Sequence, residues 1–227
     1  MSAAGDRAVT AALDHIVIAG PDLGALVDWF AERTGVIAQP GGRHPTGTQN
    51  ALIALTVEGK RGPQYLELIG PWSDAGDAPL PTAFDINRLA GPTVQTFAVR
   101  PSDIEGAIAA ARSVGWEIGP VRALSRSTPE GELLEWRLTR IESGEQARFD
   151  VPFLIDWGET TQPGETAVPT LELLGFARLE STEERAELIR RELASVGTEG
   201  VAVRVAERPG FALTVRTESG ETVEFLP

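Results

Sequence analysis

His15 is one of only two histidines in the chain, and it stands inside an apolar, β-branched run, Leu13-Asp14-His15-Ile16-Val17-Ile18. An imidazole titrates near neutral pH, so at this place it can act as a general base or ligate a divalent metal through a neutral nitrogen. It can equally be a hydrogen-bonded core residue. Glu67 lies between Leu66 and Leu68 in a second apolar run. Simple alternation would put it on a solvated face, but in a curled sheet the same parity lines a pocket, where a buried carboxylate needs a partner. The second histidine, His44, falls among glycines in Gly41-Gly42-Arg43-His44-Pro45-Thr46-Gly47-Thr48-Gln49-Asn50. It is either a surface residue or part of a loop that folds over a pocket. Asn50 in the same stretch can orient a ligand or cap a turn. Arg126 can clamp an anionic group or pair with one of the many carboxylates. Trp136 and Trp157 can wall an apolar pocket or pack a core, and since Trp136 and Arg137 alternate, only one of them faces inward.

These residues need elements to hold them. The run from Leu13 reads as a strand. Asp22 is placed to cap a helix carrying Leu23, Leu26, Val27 and Phe30 on one face, and Gly35 is placed to end it. After the glycine loop come strands at Ala51–Val57 and Gln64–Ile69, which makes a βαβββ unit, or βαββ with an irregular second strand. A proline-, alanine- and aspartate-rich connection fills 71–91. The same order then repeats. Strand Thr93–Arg100 leads to a helix with the capping-box pair Ser102 and Glu105, Gly115 matches Gly35, and the loop Leu124–Gly131 is followed by strands Leu133–Ile141 and Val151–Trp157. Arg126 and Gly131 mirror Arg43 and Gly47. Aligning Asp22 with Asp103 sets Thr96 opposite His15. The stretch 160–166 (TTQPGET) reads as a linker. A looser third unit covers 167–227, with a strand at Leu171–Leu179, a capping box at Ser181 and Glu184, a helix ended by Gly197, and strands Val201–Ala206, Phe211–Thr217 and Thr222–Leu226. The expected class is α+β, with strands outnumbering helices and short loops between them.

Composition bounds the function. The 227 residues carry a formal net charge of −13, which disfavours nucleic acid and anionic membranes as partners. With no cysteine, disulfides, thiolate metal sites and cysteine nucleophiles are excluded. The stretch Met1–Thr10 lacks an apolar signal core and no run is long enough to span a bilayer, so a cytoplasmic location is expected. The glycines of the 41–47 loop lack the strand-to-helix context of a phosphate loop.

Taken in order, LDHIVIAGPDL, GGRHPTGTQN and YLELIG, followed by SRSTPEGELLEWRL and PFLIDWG, resemble the glyoxalase-like branch of the vicinal oxygen chelate superfamily, over about residues 12–158. The resemblance implies paired βαβββ modules (12–70 and 92–158), each curling into half of an open mixed sheet around one pocket that takes a small molecule. It also implies, for metal-using members, one divalent ion (Zn, Ni, Mn or Fe) on four inward residues. Carried over, these are His15, Glu67, Thr96, and Asp156 or, with a one-residue slip, Ile155. A neutral hydroxyl is a weak ligand, so Thr96 breaks the set. Two functions are therefore expected to compete. One is a metal-assisted lyase, isomerase or dioxygenase using His15 and Glu67, with Asp156. The other is a metal-free binding protein using Trp136, Asn50 and the His44 loop. A homodimer and a barrel completed within one chain both remain open.

Overall fold

The computed structural model describes residues 9–74, 76, 78–129, 131–140, 147–168 and 170–227. Strand β1 (Ala11–Ala19) alternates its apolar residues across the sheet. Ile16 and Ile18 enter the main core on the helix side, whereas Val17 and Ala19 join a smaller cluster on the opposite, concave side. Helix α1 (Leu23–Thr34) begins where the Asp22 carboxylate accepts from Ala25 N at 3.0 Å and ends at Gly35 in the left-handed conformation (φ 70°). Strands β2 (Gln39–Arg43), β3 (Thr48–Val57) and β4 (Lys60–Pro71) complete the first module. The glycine stretch expected as a loop is thus partly a strand: Gly41 and Gly42 lie in β2, and only 44–47 form the turn into β3.

After a 3-10 segment at Ala83–Arg88, the second module repeats the order with β5 (Thr93–Pro101), α2 (Ile104–Ser113), β6 (Val121–Ser127), β7 (Leu133–Thr139) and β8 (Phe153–Asp156). The cap of α2 is Asp103, one residue later than the expected Ser102: its carboxylate accepts from Glu105 N at 3.1 Å, while the Ser102 hydroxyl accepts from Thr10 N. Arg126 lies in β6 and not in a loop. Ile141, the expected end of the β7 strand, falls outside the described residues. The expected linker is a helical turn, α3 (Pro163–Thr166), packed on β3 and β4. The third unit follows as β9 (Thr170–Glu180), α4 (Glu183–Ser195), β10 (Ala202–Val205), β11 (Gly210–Arg216) and β12 (Thr222–Phe225). Its helix cap is Thr182, again one residue past the expected Ser181.

All twelve strands join one mixed sheet, with path β12-β11-β9-β3-β4-β1-β5-β8-β7-β6 and with β10 on β9 and β2 on β3. The modules meet at the antiparallel pair β1–β5, where His15 lies opposite Ala98 and Val17 opposite Thr96. The third unit enters through the parallel pair β3–β9. The helix-side core is continuous across all three units, from Leu26 and Phe30 through Phe97 and Leu154 to Phe176, Leu213 and Phe225. Inward-facing aromatic and apolar residues from β3, β4, β5, β7 and β8 gather on the concave side.

Candidate functional site

His15 lies on the concave side with its ring stacked on Tyr65 (centroids 4.6 Å apart) and met edge-on by Phe153 (5.4 Å). Its neighbour Asp14 would face the opposite side by strict alternation. A β-bulge between Leu13 and His15 breaks that alternation and brings both side chains to one face. Asp14 is 1% exposed and accepts from His15 Nδ1 (2.7 Å), Trp157 Nε1 (3.1 Å) and Gln162 Nε2 (3.3 Å). With donors around it, the carboxylate fixes the tautomer. Nδ1 carries the proton, and Nε2 is the basic nitrogen. Nε2 faces Glu67 Oε2 at 3.7 Å, too long for a direct hydrogen bond but spanned by one intervening atom.

Glu67 keeps the parity of Tyr65 and Ile69, while Leu66 and Leu68 turn to the helix-side core. The curled sheet makes this parity the pocket-facing one. Asn50 Nδ2 donates to Glu67 Oε1 at 2.6 Å, and Asn50 Oδ1 accepts from Gly42 N at 2.9 Å, so the amide ties β2 to the carboxylate. A Cβ on Gly41 would stand 2.1 Å from Asn50 Oδ1, which is why the chain approaches here only as glycine.

A small cavity of about 50 Å³ is lined by His15, Glu67, His44, Asn50, Arg126 and Trp136, with Tyr65, Phe84, Phe153 and Trp157 among its walls. These six sequence-predicted residues therefore meet, with Trp157 and the slipped-register candidate Ile155 beside them. His44 Nδ1 bonds Thr48 Oγ1 at 3.0 Å, and its ring meets Trp136 edge-on. Burial, with the positive charges of Arg126 and Arg140 adding and the negative charge of Glu67 opposing, lowers its pKa to about 4, so it is neutral at pH 7. Burial, with the carboxylates Asp14 and Glu67 adding, raises the Tyr65 phenol well above its ordinary value. Arg126 is 6% exposed, and its Nη1 has no hydrogen-bond partner. Burial lowers its pKa, against the opposing pull of Tyr65 and Glu67.

Two predicted residues stand elsewhere. Thr96 is buried beside the site but spends its hydroxyl on Val151 O at 3.4 Å and lines a neighbouring cavity. Asp156 points away. Arg137 pairs with it at the exposed edge, and hydrogen bonds from Arg137 and Gly158 N hold its carboxyl below the ordinary range. The strand register explains this. Glu67 pairs across from Val17, two residues past His15, and in the second module the residue paired two past Thr96 is Phe153, opposite Ala98. The second-module counterparts of His15 and Glu67 are thus Thr96 and Phe153. Ile155 lines the cavity and also carries no donor.

This donor set does not fit the divalent ion implied by the resemblance. His15 and Glu67 supply two ligands, Thr96 is committed to a carbonyl, and Phe153 is a hydrocarbon. Among the described residues no group of three or more His, Asp or Glu could hold a metal ion. Asp14 cannot complete the set, because it occupies the nitrogen of His15 that faces away from Glu67. Sequence reasoning missed Asp14, Tyr65 and Phe153. Tyr65 was legible from its parity with Glu67, but the bulge at Asp14 and the register at Phe153 were not.

A family model described as a glyoxalase-like domain matches residues 13–211. The chain belongs to the glyoxalase-like family. The sheet displays the two tandem βαβββ modules that the sequence resemblance implied. Among solved structures, a hypothetical protein from Staphylococcus aureus superimposes with a TM-score of 0.63 at 14% identity, over 96% of this chain and 99% of that one. That likeness is one of fold, and it includes the third unit. Methylmalonyl-CoA epimerase from Mycobacterium tuberculosis aligns over 66% of this chain and 89% of its own, at 20% identity and a TM-score of 0.35. No curated protein matches the sequence. Among the described residues of this glyoxalase-like protein, no helix is long and apolar enough to cross a membrane.

Proposed function

We propose that this glyoxalase-like protein binds a small molecule in the His15 cavity and shifts a proton on it without a metal. The observation that supports this reading is the Asp14–His15 hydrogen bond, with Nε2 left to face Glu67 across 3.7 Å. His15 Nε2 takes a proton from a C–H or O–H of the substrate and returns it at a second atom, so atoms balance with no co-reactant. Asp14 holds the ring and Glu67 flanks it, and both carboxylates stabilise the imidazolium that forms in between. Asp14 bonded to Nδ1 would serve a metal-bound imidazole equally well, so it is the missing second-module donors that favour proton transfer. The reaction class is an isomerisation or epimerisation.

The test is deuterium wash-in from D2O into a panel of small enolisable carbonyl compounds, followed by NMR on protein purified without chelator. Wild type is expected to exchange with EDTA present. His15→Gln should abolish the exchange and Asp14→Asn should slow it by about a hundredfold or more. Exchange that EDTA stops and Zn, Ni, Mn or Fe restores would return the metal-assisted reading. Saturable binding without exchange would favour the second reading, a metal-free sequestering protein, which the apolar replacement at Phe153 also suits.

A further inference from the structure

Arg126 lines the cavity with its buried Nη1 unpartnered and makes no ion pair among the described residues. The chain has 33 acidic residues against 20 Lys and Arg, yet no described carboxylate lies within ion-pair distance of this guanidinium. Its counterpart in the repeat, Arg43, is half exposed and pairs with Asp74 at 2.9 Å. Arg126 is instead clamped from below. A Cβ on Gly42 would stand 2.8 Å from its Nη1 and 2.4 Å from Ser127 O, so β2 presses backbone against the side chain. Glu67 acts on this guanidinium only at longer range, so the buried Nη1 still lacks a hydrogen-bonded partner, and a trapped water would satisfy the N–H without neutralising the charge at contact.

We propose that the cavity takes a small carboxylate whose anionic group is held by Arg126. This deepens the preceding reading of the same pocket and rests on it for the claim that a small molecule binds there. Three features set the class. A cavity of about 50 Å³ has room for about three to five water-sized groups, which favours a short molecule. Asp14 and Glu67 already place two carboxylates near the imidazole, which disfavours a dianion such as phosphate. The neutral His44 beside Arg126 adds a hydrogen-bonding group without adding charge. A monoanion on Arg126 thus sets the rest of a short molecule against His15 and the aromatic wall.

Thermal shift and NMR titration with acetate and pyruvate, against neutral acetamide at constant ionic strength, test this. Wild type should be stabilised saturably by both anions and not by acetamide. Arg126→Met should weaken that response at least tenfold while being at least as stable as wild type in anion-free buffer. Arg126→Lys, which keeps the charge, should retain a weaker response, and it carries the test if the methionine variant fails to fold. Acetate acting no better than acetamide, or an Arg126→Met protein that answers like wild type, overturns the proposal. The two readings fail separately. A His15→Gln protein that still responds to acetate supports the carboxylate subsite whatever becomes of exchange, whereas a wild type that exchanges neutral ketones but answers acetate no better than acetamide supports proton transfer and overturns the carboxylate subsite.

Discussion

At the scale of single residues, the site is a balance of charge around a small cavity. Asp14 and Glu67 face His15, and Arg126 and Arg140 act on His44 from the other side. His44 answers by staying neutral, and this has a consequence for stability. Its folded pKa of about 4 lies below the ordinary imidazole value of about 6.5. Below pH 6.5 the unfolded chain binds a proton that the folded chain refuses. This contribution is therefore complete above about pH 6.5 and is lost as pH falls toward 4. With His44 only partly buried, the loss is about 2 kcal/mol. Urea midpoints at pH 7, 5.5 and 4.5 should fall less steeply in His44→Gln than in wild type. Identical slopes would mean that His44 is protonated freely in the folded protein.

At the scale of elements, two irregularities build the site. The bulge in β1 turns Asp14 to the same face as His15, so a dyad forms from adjacent residues that a regular strand would separate. The close approach of β2 to β6 joins the modules across the cavity, since Gly42 touches Arg126 and Ser127 while Asn50 reaches from β3 to Glu67. Gly42→Ala must push β2 off β6 or displace the guanidinium. A loss of about 1–3 kcal/mol is expected in chemical denaturation, together with a weakened acetate response. Unchanged stability would show that β2 can yield without strain. A third irregularity, Phe84, stands on the same cavity wall. It is held at φ 54°, a left-handed conformation uncommon for a bulky residue, and its ring reaches Phe153 at 6.1 Å on the cavity wall.

At the scale of the whole molecule, the third unit is part of the core. Phe97 of the second module meets Phe176 and Phe211 edge-on, and Phe30 of α1 stacks on Phe225 at 5.5 Å. Arg148 forms a fork on Glu192 of α4, at 2.7 and 2.8 Å, and also binds Asp150, which Arg185 binds in turn. Burial opposes the charge of Arg148, but these bonds outweigh it and raise its pKa above the ordinary value. A chain cut after Gly158 would expose this apolar face and the edge of β3. It is expected to lose the cooperative melt seen by circular dichroism, while the full chain unfolds in one transition. A sharp transition near the wild-type Tm in the fragment would mean that the paired modules fold alone.

The sequence by itself determined the module order, the helix faces, the caps to within one residue and the glyoxalase-like resemblance. These follow from local periodicity and turn chemistry, which are written in neighbouring residues. It also named His15, Glu67, His44, Asn50, Arg126, Trp136 and Trp157 among the residues that line the cavity, because the repeat marked the segments that carry them. What it could not determine was which residue of the last strand faces His15. Asp156, Ile155 and Phe153 differ only in register, and register is set by pairing between β5 and β8 far apart in the chain. Nor could it show Asp14 turning inward, since a bulge is a mismatch between two strands and not a property of one. The tertiary structure decided both, and in doing so it turned half of an expected metal site into a hydrocarbon wall and left an Asp–His pair facing a single glutamate.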